Sequence, residues 1–354
     1  MSSGALGGSD VTVIICAYTH DRWNDICDAV KSVVHQSCPP AQCLVVIDHN
    51  RPLADDLTTF VLRCGFDSMV SVICSAGPRG LSGARNSGVA RARTPIVAFL
   101  DDDAVADPDW VAALVAGYDS DEIAGVGGHV QPRWPGHGAP GWFPSEFNWV
   151  VGCSYTGAPT VLSEVRNFIG ANMSLRRADI VAAEGFHTGL GRVGTTPLGC
   201  EETELCIRIR RREPGSRMIH QPTAAVRHRV TDDRVTLRYF LRRCHAEGLS
   251  KAAVATLVGS GDGLASERHY TTRVLPRGLV GRLAGVVRPN VGMRHRVDLA
   301  AQATMLTGGL LVTTVGYVRG RLAGVAIPDR STPLHLHLVD NDPQTPDAIA
   351  GGVK

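Results

Sequence analysis

The chain has 354 residues, of which 44% are hydrophobic and 20% are charged, a composition typical of a globular protein that buries a sizeable core. Its net charge of +2 is spread over interspersed acidic and basic residues, so we expect no nucleic-acid partner. The length suits one large α/β domain with an appendage.

Cysteine spacing and the amino-terminal composition indicate a reduced, cytoplasmic setting. None of the ten cysteines forms a CxxC pair, which argues against a zinc knuckle or a thioredoxin-like site. Several of them lie inside apolar runs, where free cysteine behaves as a small hydrophobic residue. Residues 1–10 have neither the basic nor the apolar segment of a secretory signal.

The first hundred residues alternate between apolar runs of strand length and segments with helical periodicity. Strands are predicted at 11–17, 43–47, 70–73 and 95–100, and helices at 22–36 and 82–93. Short connections between such elements indicate right-handed crossovers and a mainly parallel sheet flanked by helices. Ligands of such sheets bind beyond the carboxyl ends of the strands, and Tyr18, Asp48 and Asp101–Asp103 occupy those ends.

The middle of the chain continues this alternation around one long irregular stretch. Residues 131–159 are rich in Trp, Pro and Gly, which is typical of a lid or substrate wall, or else of a loop that covers the core. Further strands are predicted at 124–130, 169–175 and 224–227. Helices are predicted after Asp107-Pro108-Asp109, at 201–212 and at 236–258, where Gly248 could interrupt the last one.

The carboxyl-terminal region combines a basic run with an uncharged one. Residues 273–296 contain six arginines and no carboxylate, which indicates a solvated face or a contact with a membrane surface. Residues 299–318 carry no charge, but their threonines and glycines favour a buried or interfacial helix over a membrane span. We therefore predict that residues 1–9 and the tail at 327–354 are disordered. Between them we predict a catalytic domain at 10–232 and a helical region at 233–326. The helical region is expected to make peripheral membrane contact through residues 273–318.

Asp101-Asp102-Asp103 is the first candidate for chemistry. Three consecutive carboxylates repel one another unless a cation or hydrogen-bond donors offset their charge. Mg²⁺ and Mn²⁺ prefer oxygen ligands, and Mg²⁺ often combines one or two carboxylates with substrate phosphates. The alternative is an acidic turn, but the position at the end of a buried strand favours a metal site.

Three other groups of residues are ambiguous when taken singly. The segment from Gly80 to Gly88 could approach a phosphate or ribose, helped by Arg79 or Arg85, or it could simply pack a helix tightly on the sheet. Glu201-Glu202 opens a helix, where carboxylates favour the helix dipole even without a catalytic role. His228 stands at a strand end, where a histidine is more often structural than a metal ligand.

Taken together, these elements resemble the inverting family-2 glycosyltransferases with the GT-A fold. The resemblance covers roughly residues 10–250, and its six short motifs occur in the family's order. They are Val13–Tyr18, Val45–Asp48, Ala84–Gly88, Phe99–Asp103, Gly170–Ser174 and Cys200–Leu205. The departures are Cys-Ala-Tyr-Thr in place of Pro-x-Tyr-Asn after the first strand, and His49 after Asp48.

The resemblance implies a role for each candidate residue. The nucleotide sugar is expected to contact Ala17, Tyr18, Asp48, Arg79, Arg85, Asn86, Asp101 and Asp102. Mn²⁺ or Mg²⁺ is expected on Asp103, with His228 as a second ligand. Asn172 and Trp142 are assigned to the acceptor. Of the acidic pair, we expect Glu202 rather than Glu201 to be the catalytic base.

The resulting hypothesis is single-displacement transfer of a sugar from a nucleotide sugar, with UDP as the expected nucleotide, to an acceptor hydroxyl. A sugar-phosphate nucleotidylyltransferase is the first alternative, but residues 16–20 lack the Gly-rich, basic loop that grips a triphosphate. A non-catalytic protein that binds nucleotide sugars is the second.

Overall fold

The computed structural model describes residues 6–136, 138–191, 199–259, 261 and 265–324. Most of the two predicted disordered segments, 1–9 and 327–354, lies outside these ranges. Residues 6–9 are described, and they differ from the prediction because Gly8 is buried and begins a 3-10 turn, Gly8–Asp10. A Cβ on Gly8 would lie 2.2 Å from the backbone oxygen of Pro39, so this turn packs closely on the loop before the second strand.

Within the described part of the chain, nine strands form one sheet. They are β1 (Val11–Ala17), β2 (Gln42–Ile47), β3 (Val70–Cys74), β4 (Ile96–Asp101), β5 (Ala104–Ala106), β6 (Ile123–Arg133), β7 (Ser163–Val165), β8 (Asn172–Arg176) and β9 (Arg217–Arg229). Their order is β3-β2-β1-β4-β8-β6-β9-β5, and β7 also pairs with β9. The strands from β3 to β4 run parallel, as predicted. The other half is mixed, because β8 inserts antiparallel between β4 and β6.

Helices cover both faces of the sheet and extend beyond it. They are α1 (Trp23–Val34), α2 (Arg51–Arg63), α3 (Leu81–Arg91), α4 (Trp110–Ala116), α5 (Arg177–Ala182), α6 (Glu201–Arg212), α7 (Leu237–Val258), α8 (Ala265–His269), α9 (Leu275–Val287) and α10 (Met293–Ala323). A π-helical turn, Tyr270–Val274, joins α8 to α9. The α/β architecture with a helical carboxyl-terminal appendage agrees with the predicted fold class.

Strand pairing places the candidate residues at one edge of the sheet. In β1, Cys16 stands opposite Asp101 of β4, so the carboxyl ends of both strands coincide. The chain then turns through Asp102 and Asp103 into β5, where Ala104 is the partner of His228 in β9. A histidine about 125 positions away in sequence is thereby brought beside the acidic cluster.

Strand β9 and helix α7 are two of the elements that differ from the sequence expectation. Strand β9 begins at Arg217 rather than near 224, and a register shift against β6 between Gly128 and His129 absorbs its irregularity. Helix α7 is continuous through Gly248, where a break was an option. Gly248 is instead a contact point, because a Cβ there would lie 2.1 Å from the backbone oxygen of Thr313 on α10.

Helix α10 is 31 residues long and only partly covered by the rest of the protein. Its most apolar 18-residue window has a mean hydropathy of 1.3, and 22% of that window is buried. Ala303, Leu306 and Gly309 belong to the buried face, while Leu311 and Val315 are exposed. Of the sequence alternatives, this exposure disfavours a helix buried in the core.

Candidate active site

One large cavity, with a volume of about 800 Å³, runs along the carboxyl ends of the central strands. It starts at β1 and β2, passes Asp101 and Asp102, crosses the beginning of α6 and ends among the carboxyl-terminal helices. Most of the predicted site residues lie on it or directly behind it, so the structure gathers them at the edge of the sheet where the sequence predicts the chemistry.

The end of the cavity nearest β1 and β2 is lined by Ala17, Tyr18 and Asp48. Asp48 accepts a hydrogen bond from the backbone N–H of Gly80 at 2.9 Å, which fixes its carboxylate beside the start of α3. Gly80 has φ of +118°, a backbone conformation that side chains disfavour, so the turn before α3 requires glycine. Arg79 is exposed and does not line the cavity.

Arg85 is a buried link between two parts of the site rather than a freely reaching ligand. Its guanidinium lies 2.9 Å from Glu201 and 3.4 Å from Asp101, and it donates to the backbone oxygen of Gly170 at 3.0 Å. The side chain is only 2% exposed and lies near the rings of Phe99 and Phe186. Although Arg85 also lines the cavity, its hydrogen bonds indicate mainly a positioning role.

Asn86 stands next to Arg85 but faces away from the cavity. Its side chain donates to the backbone oxygen of Phe186 at 2.9 Å and accepts from the backbone N–H of the same residue at 2.8 Å. Both hydrogen bonds hold the loop after α5 against α3, and Asn86 does not line the cavity. The structure therefore uses the amide of Asn86 in the scaffold, and the nucleotide-sugar contact of this residue stays a prediction.

Asp101, Asp103 and His228 form a set of potential metal ligands. One ligand atom from each lies within 4.8 Å of the others. Two carboxylate oxygens and an imidazole nitrogen suit Mn²⁺ or Mg²⁺. Asp102 supplies a second indication, because its Oδ2 atom is buried and has no hydrogen-bond partner among the described residues. The donor set thus fits the predicted dication.

Asp103 is surrounded by positive charge. The Nε2 atom of His228 lies 2.9 Å from its Oδ1 atom, and Arg22 and Arg234 each lie 3.2 Å from its Oδ2 atom. Burial raises the pKa of Asp103, but these three cations outweigh burial and hold the pKa well below its usual range. In turn, burial lowers the pKa of His228 and the Asp103 carboxylate outweighs it, giving a pKa of about 10.

The neighbouring Asp102 behaves in the opposite way. Burial and the charges of Asp103 and Asp101 raise its pKa to about 7, although Arg22, 2.6 Å away, favours the ionised form. The pKa values of these adjacent carboxyls therefore differ because Asp103 has three cationic partners and Asp102 has one. Neither Arg22 nor Arg234 was among the sequence candidates, because nothing in the local sequence around either residue points to the acidic cluster.

The acidic pair at the start of α6 is divided between two environments. Glu201 is 4% exposed and forms the ion pair with Arg85. Both glutamates line the cavity, and Glu202 accepts a hydrogen bond from the Thr203 hydroxyl at 3.4 Å. Burial, followed by the charge of Glu201, raises the pKa of Glu202 to about 8. A carboxyl with a pKa near neutrality is suited to general acid–base catalysis.

The two residues assigned to the acceptor lie elsewhere. Asn172 is fully buried, accepts from the indole of Trp110 at 2.8 Å and donates to the backbone oxygens of His129 and Ala224. Trp142 packs on Phe143 and Phe240 outside the cavity. The structure does not bring either residue to the cavity, because one completes the hydrogen bonding of the sheet and the other packs on the aromatic core; their acceptor role stays a prediction.

The aromatic stretch 131–159 contributes both to the core and to the cavity wall. Phe143 and Phe147 are buried against Phe240 of α7, so part of the stretch covers the core. Trp149 and Tyr155 line the cavity and form part of its wall.

The carboxyl-terminal helices contribute a polar part of the cavity that the sequence did not reveal. Lys251 lies 2.7 Å from Glu267 and 3.4 Å from Glu247, and Arg166 pairs with Glu267 at 2.8 Å. Burial raises the pKa of Glu267, but Lys251 and Arg166 outweigh it and lower the pKa to about 2. The segments meet only in the folded protein, and no motif links them.

The fold and this site together define a glycosyltransferase of the GT-A type. Residues 12–181 match the model of the family described as glycosyl transferase family 2. The glucosyl-dolichyl phosphate glucuronosyltransferase of Haloferax volcanii is 32% identical over 255 residues, which is 70% of this chain and 78% of that protein. The chain belongs to glycosyltransferase family 2, and it is an enzyme of that class rather than a nucleotidylyltransferase.

Solved structures resemble the fold at low sequence identity. The mannosyltransferase PcManGT from Pyrobaculum calidifontis, solved in complex with GDP-Man and Mn²⁺, superposes with a TM-score of 0.53 at 16% identity, over 87% of each chain. GalNAc-T7, solved with UDP, GalNAc and Mn²⁺, gives a TM-score of 0.47 at 18% identity, over 62% of this chain and 43% of that one.

Proposed function

We propose that this enzyme transfers a sugar from a nucleotide sugar to an acceptor hydroxyl in a single displacement that inverts the anomeric carbon. The observation that carries the proposal is the arrangement of one cavity. A set of metal ligands, Asp101, Asp103 and His228, lies at or directly behind its wall, and the carboxyl of Glu202, with its pKa of about 8, lines the same space.

Different residues along the cavity have different roles in the reaction. Ala17, Tyr18 and Asp48 bind the nucleoside, for which we propose uridine, and Glu202 takes the proton from the attacking hydroxyl. Arg85 holds Glu201 in an ion pair, so Glu202 is the member of the pair that remains for proton transfer. Asp101, Asp103 and His228 would hold Mn²⁺ or Mg²⁺, and the bound cation would neutralise charge on the diphosphate leaving group.

We further propose that the acceptor is a lipid-linked sugar and that the enzyme works at a membrane surface. The name of the Haloferax relative states an acceptor of this kind. Exposed apolar side chains on α9 and α10, such as Val287 and Met293, lie near exposed arginines such as Arg288 and Arg294, which suits an anionic bilayer surface. The cytoplasmic location remains a prediction from the sequence.

The test is donor turnover with purified protein. A panel of UDP- and GDP-sugars is incubated with Mn²⁺, with Mg²⁺ or with a chelator, and released nucleoside diphosphate is measured. We expect metal-dependent release from one donor, increased by a lipid-linked glycoside.

A matched pair of variants locates the metal. Asp103→Asn should lower the affinity for the nucleoside diphosphate, measured by calorimetry in the presence of Mn²⁺, by about tenfold or more. The reason is that the remaining metal ligands rarely compensate for a lost carboxylate. Asp107→Asn changes a carboxylate of the same loop region outside the ligand set and should bind normally. Equal affinity of both variants, or metal-independent binding, would contradict the metal assignment.

A further inference from the structure

The imidazole of His228 faces Asp103 with one ring nitrogen and a cysteine with the other. His228 is 4% exposed, and its Nε2 atom lies 2.9 Å from Oδ1 of Asp103. Its Nδ1 atom lies 3.7 Å from the Sγ atom of Cys153, a distance at which sulfur can take part in a hydrogen bond. Cys153 is also fully buried, so the thiol and the ring meet away from bulk water.

The backbone around Cys153 is fixed by its neighbours, so the position of the thiol follows from the fold. The 3-10 helix Ser145–Val151 ends at Gly152, whose φ of +80° is a left-handed conformation that favours glycine. After Cys153, the backbone N–H of Ser154 donates to the backbone oxygen of Val130 in β6 at 2.8 Å. The hydroxyl of Ser154 accepts from the N–H of the same valine at 2.9 Å. The segment that carries the thiol is therefore attached to the sheet.

A cation bound to Nε2 would determine which ring nitrogen of His228 carries the proton. A neutral imidazole has one N–H and one bare nitrogen, and the bare nitrogen is the metal ligand. With Nε2 as the ligand, Nδ1 carries the proton, and a buried N–H without an acceptor is costly. The Sγ atom of Cys153 can accept this hydrogen bond, because its own proton has a second acceptor in the backbone oxygen of Val151 at 3.7 Å.

The thiol of Cys153 occupies the place of the second hydrogen-bond partner that metal-binding histidines usually have. Such histidines mostly donate their other N–H to a carboxylate, a backbone oxygen or water, and this contact fixes the orientation of the ring. Gly152 lies beside the same ring, since a Cβ on it would be 3.5 Å from the Cε1 atom of His228. The ring is thus packed at its Cε1 edge and contacted at Nδ1, while Nε2 is directed at Asp103.

We infer that Cys153 is a positioning residue for His228: its Sγ atom accepts a hydrogen bond from Nδ1–H, and this contact keeps Nε2 directed at the cation site. The inference rests on the proposed function, because it requires His228 to be a metal ligand. Cys153 belongs to none of the six motifs that carry the family resemblance, so the sequence alone does not connect it with the site.

The experiment measures the Kd of the full chain for Mn²⁺, with free Mn²⁺ counted by electron paramagnetic resonance. Cys153→Ala removes the hydrogen-bond acceptor and should raise this Kd by about tenfold or more, the usual effect of losing the second partner of a metal-binding histidine. Cys153→Ser keeps an acceptor at the same position and should restore most of the affinity for Mn²⁺.

Cys43→Ala is the matched control, because Cys43 is a fully buried cysteine of β2 in the hydrophobic core. Both alanine variants remove a buried thiol and should lower the Tm. We expect the Kd for Mn²⁺ to change in Cys153→Ala and to stay at the wild-type value in Cys43→Ala. The kcat/KM of Cys153→Ala should also fall at limiting Mn²⁺ and recover at saturating Mn²⁺, which a general structural defect would not do.

A Cys153→Ala variant that binds Mn²⁺ as tightly as the wild type would overturn the inference, even if its Tm is lower. So would a Cys153→Ser variant that binds as weakly as Cys153→Ala, or a Cys43→Ala variant with the same loss of affinity. These results would leave the proposed function intact. A wild-type protein that takes up no Mn²⁺ would contradict the metal site of the proposed function and, with it, the role of Cys153.

Discussion

Replacing Glu202 by glutamine removes the proposed base while preserving the size of the side chain. A positioned general base contributes about 10²–10⁴-fold to the rate, so we expect kcat/KM to fall by that factor. The structure adds a pH dependence to this expectation. With a pKa of about 8, Glu202 is about one-tenth ionised at about pH 7. The wild-type rate should therefore rise about tenfold between about pH 6 and about pH 7 and level off above about pH 8.

The assay is kcat/KM from about pH 6 to about pH 9 at constant free Mn²⁺, with Glu213→Gln as the control. Glu213 is an exposed glutamate at the carboxyl end of α6, so its replacement changes the same type of side chain far from the cavity. The control should follow the wild-type profile, whereas Glu202→Gln should be slow and lack the acid limb. A Glu202→Gln variant that keeps both its rate and its acid limb would refute the assignment of the base.

Stability tests the raised pKa independently of catalysis. Because the folded pKa of about 8 exceeds the ordinary value of 4.5, the folded protein holds a proton on Glu202 that the unfolded chain releases between these values. Glu202 therefore contributes less to the free energy of unfolding as pH rises across this window. Glu202→Gln should gain in Tm relative to wild type between about pH 5 and about pH 8. An unchanged difference would contradict the raised pKa.

Two further predictions concern the appendage. Gly248→Ala should lower the free energy of unfolding, measured by urea denaturation, by about 1–3 kcal/mol, because its Cβ would meet the α10 backbone. Gly308→Ala is the control and should be neutral or stabilising, because nothing lies within 4 Å of its Cβ. Equal effects would contradict the close helix contact. Arg288→Glu with Arg294→Glu should weaken cosedimentation with anionic vesicles, by about 1 kcal/mol or more per arginine, and leave binding to neutral vesicles unchanged. Unaltered binding to anionic vesicles would exclude this surface.

The sequence was most informative where a residue's position follows from the strand that precedes it. Asp48 and Asp101 stand directly after buried apolar runs, and parallel strands bring their carboxyl ends to one edge, so the location of the site could be deduced. The helix of Glu201 and Glu202 was also visible in its periodicity. The start of β9 was not visible in the sequence, because the residues between 217 and 223 mix polar and apolar types without alternation.

Side-chain environment was harder to deduce than location. Arg85 and Asn86 are adjacent polar residues in a glycine-rich helix, a pattern that fits phosphate binding as well as it fits internal hydrogen bonding. Only the packed structure shows that Asn86 holds the Phe186 backbone and that Arg85 is covered by aromatic rings. The buried environment of Asn172 was hidden for the same reason, since its three partners come from distant parts of the sequence.

The buried Arg85 also connects two groups of site residues that lie in separate sequence motifs. One guanidinium bonds Glu201 at one end and approaches Asp101 at the other, so the acidic pair and the proposed metal ligands share a cation. The charge of Glu201 raises the pKa of Glu202 and the charge of Arg85 lowers it, so Arg85 acts on Glu202 both directly and as the ion-pair partner of Glu201. Replacing Arg85 by methionine should therefore weaken the metal site and shift the acid limb of the pH profile together. A purely structural defect would instead lower the rate at every pH and leave the acid limb of the pH profile at the same pH.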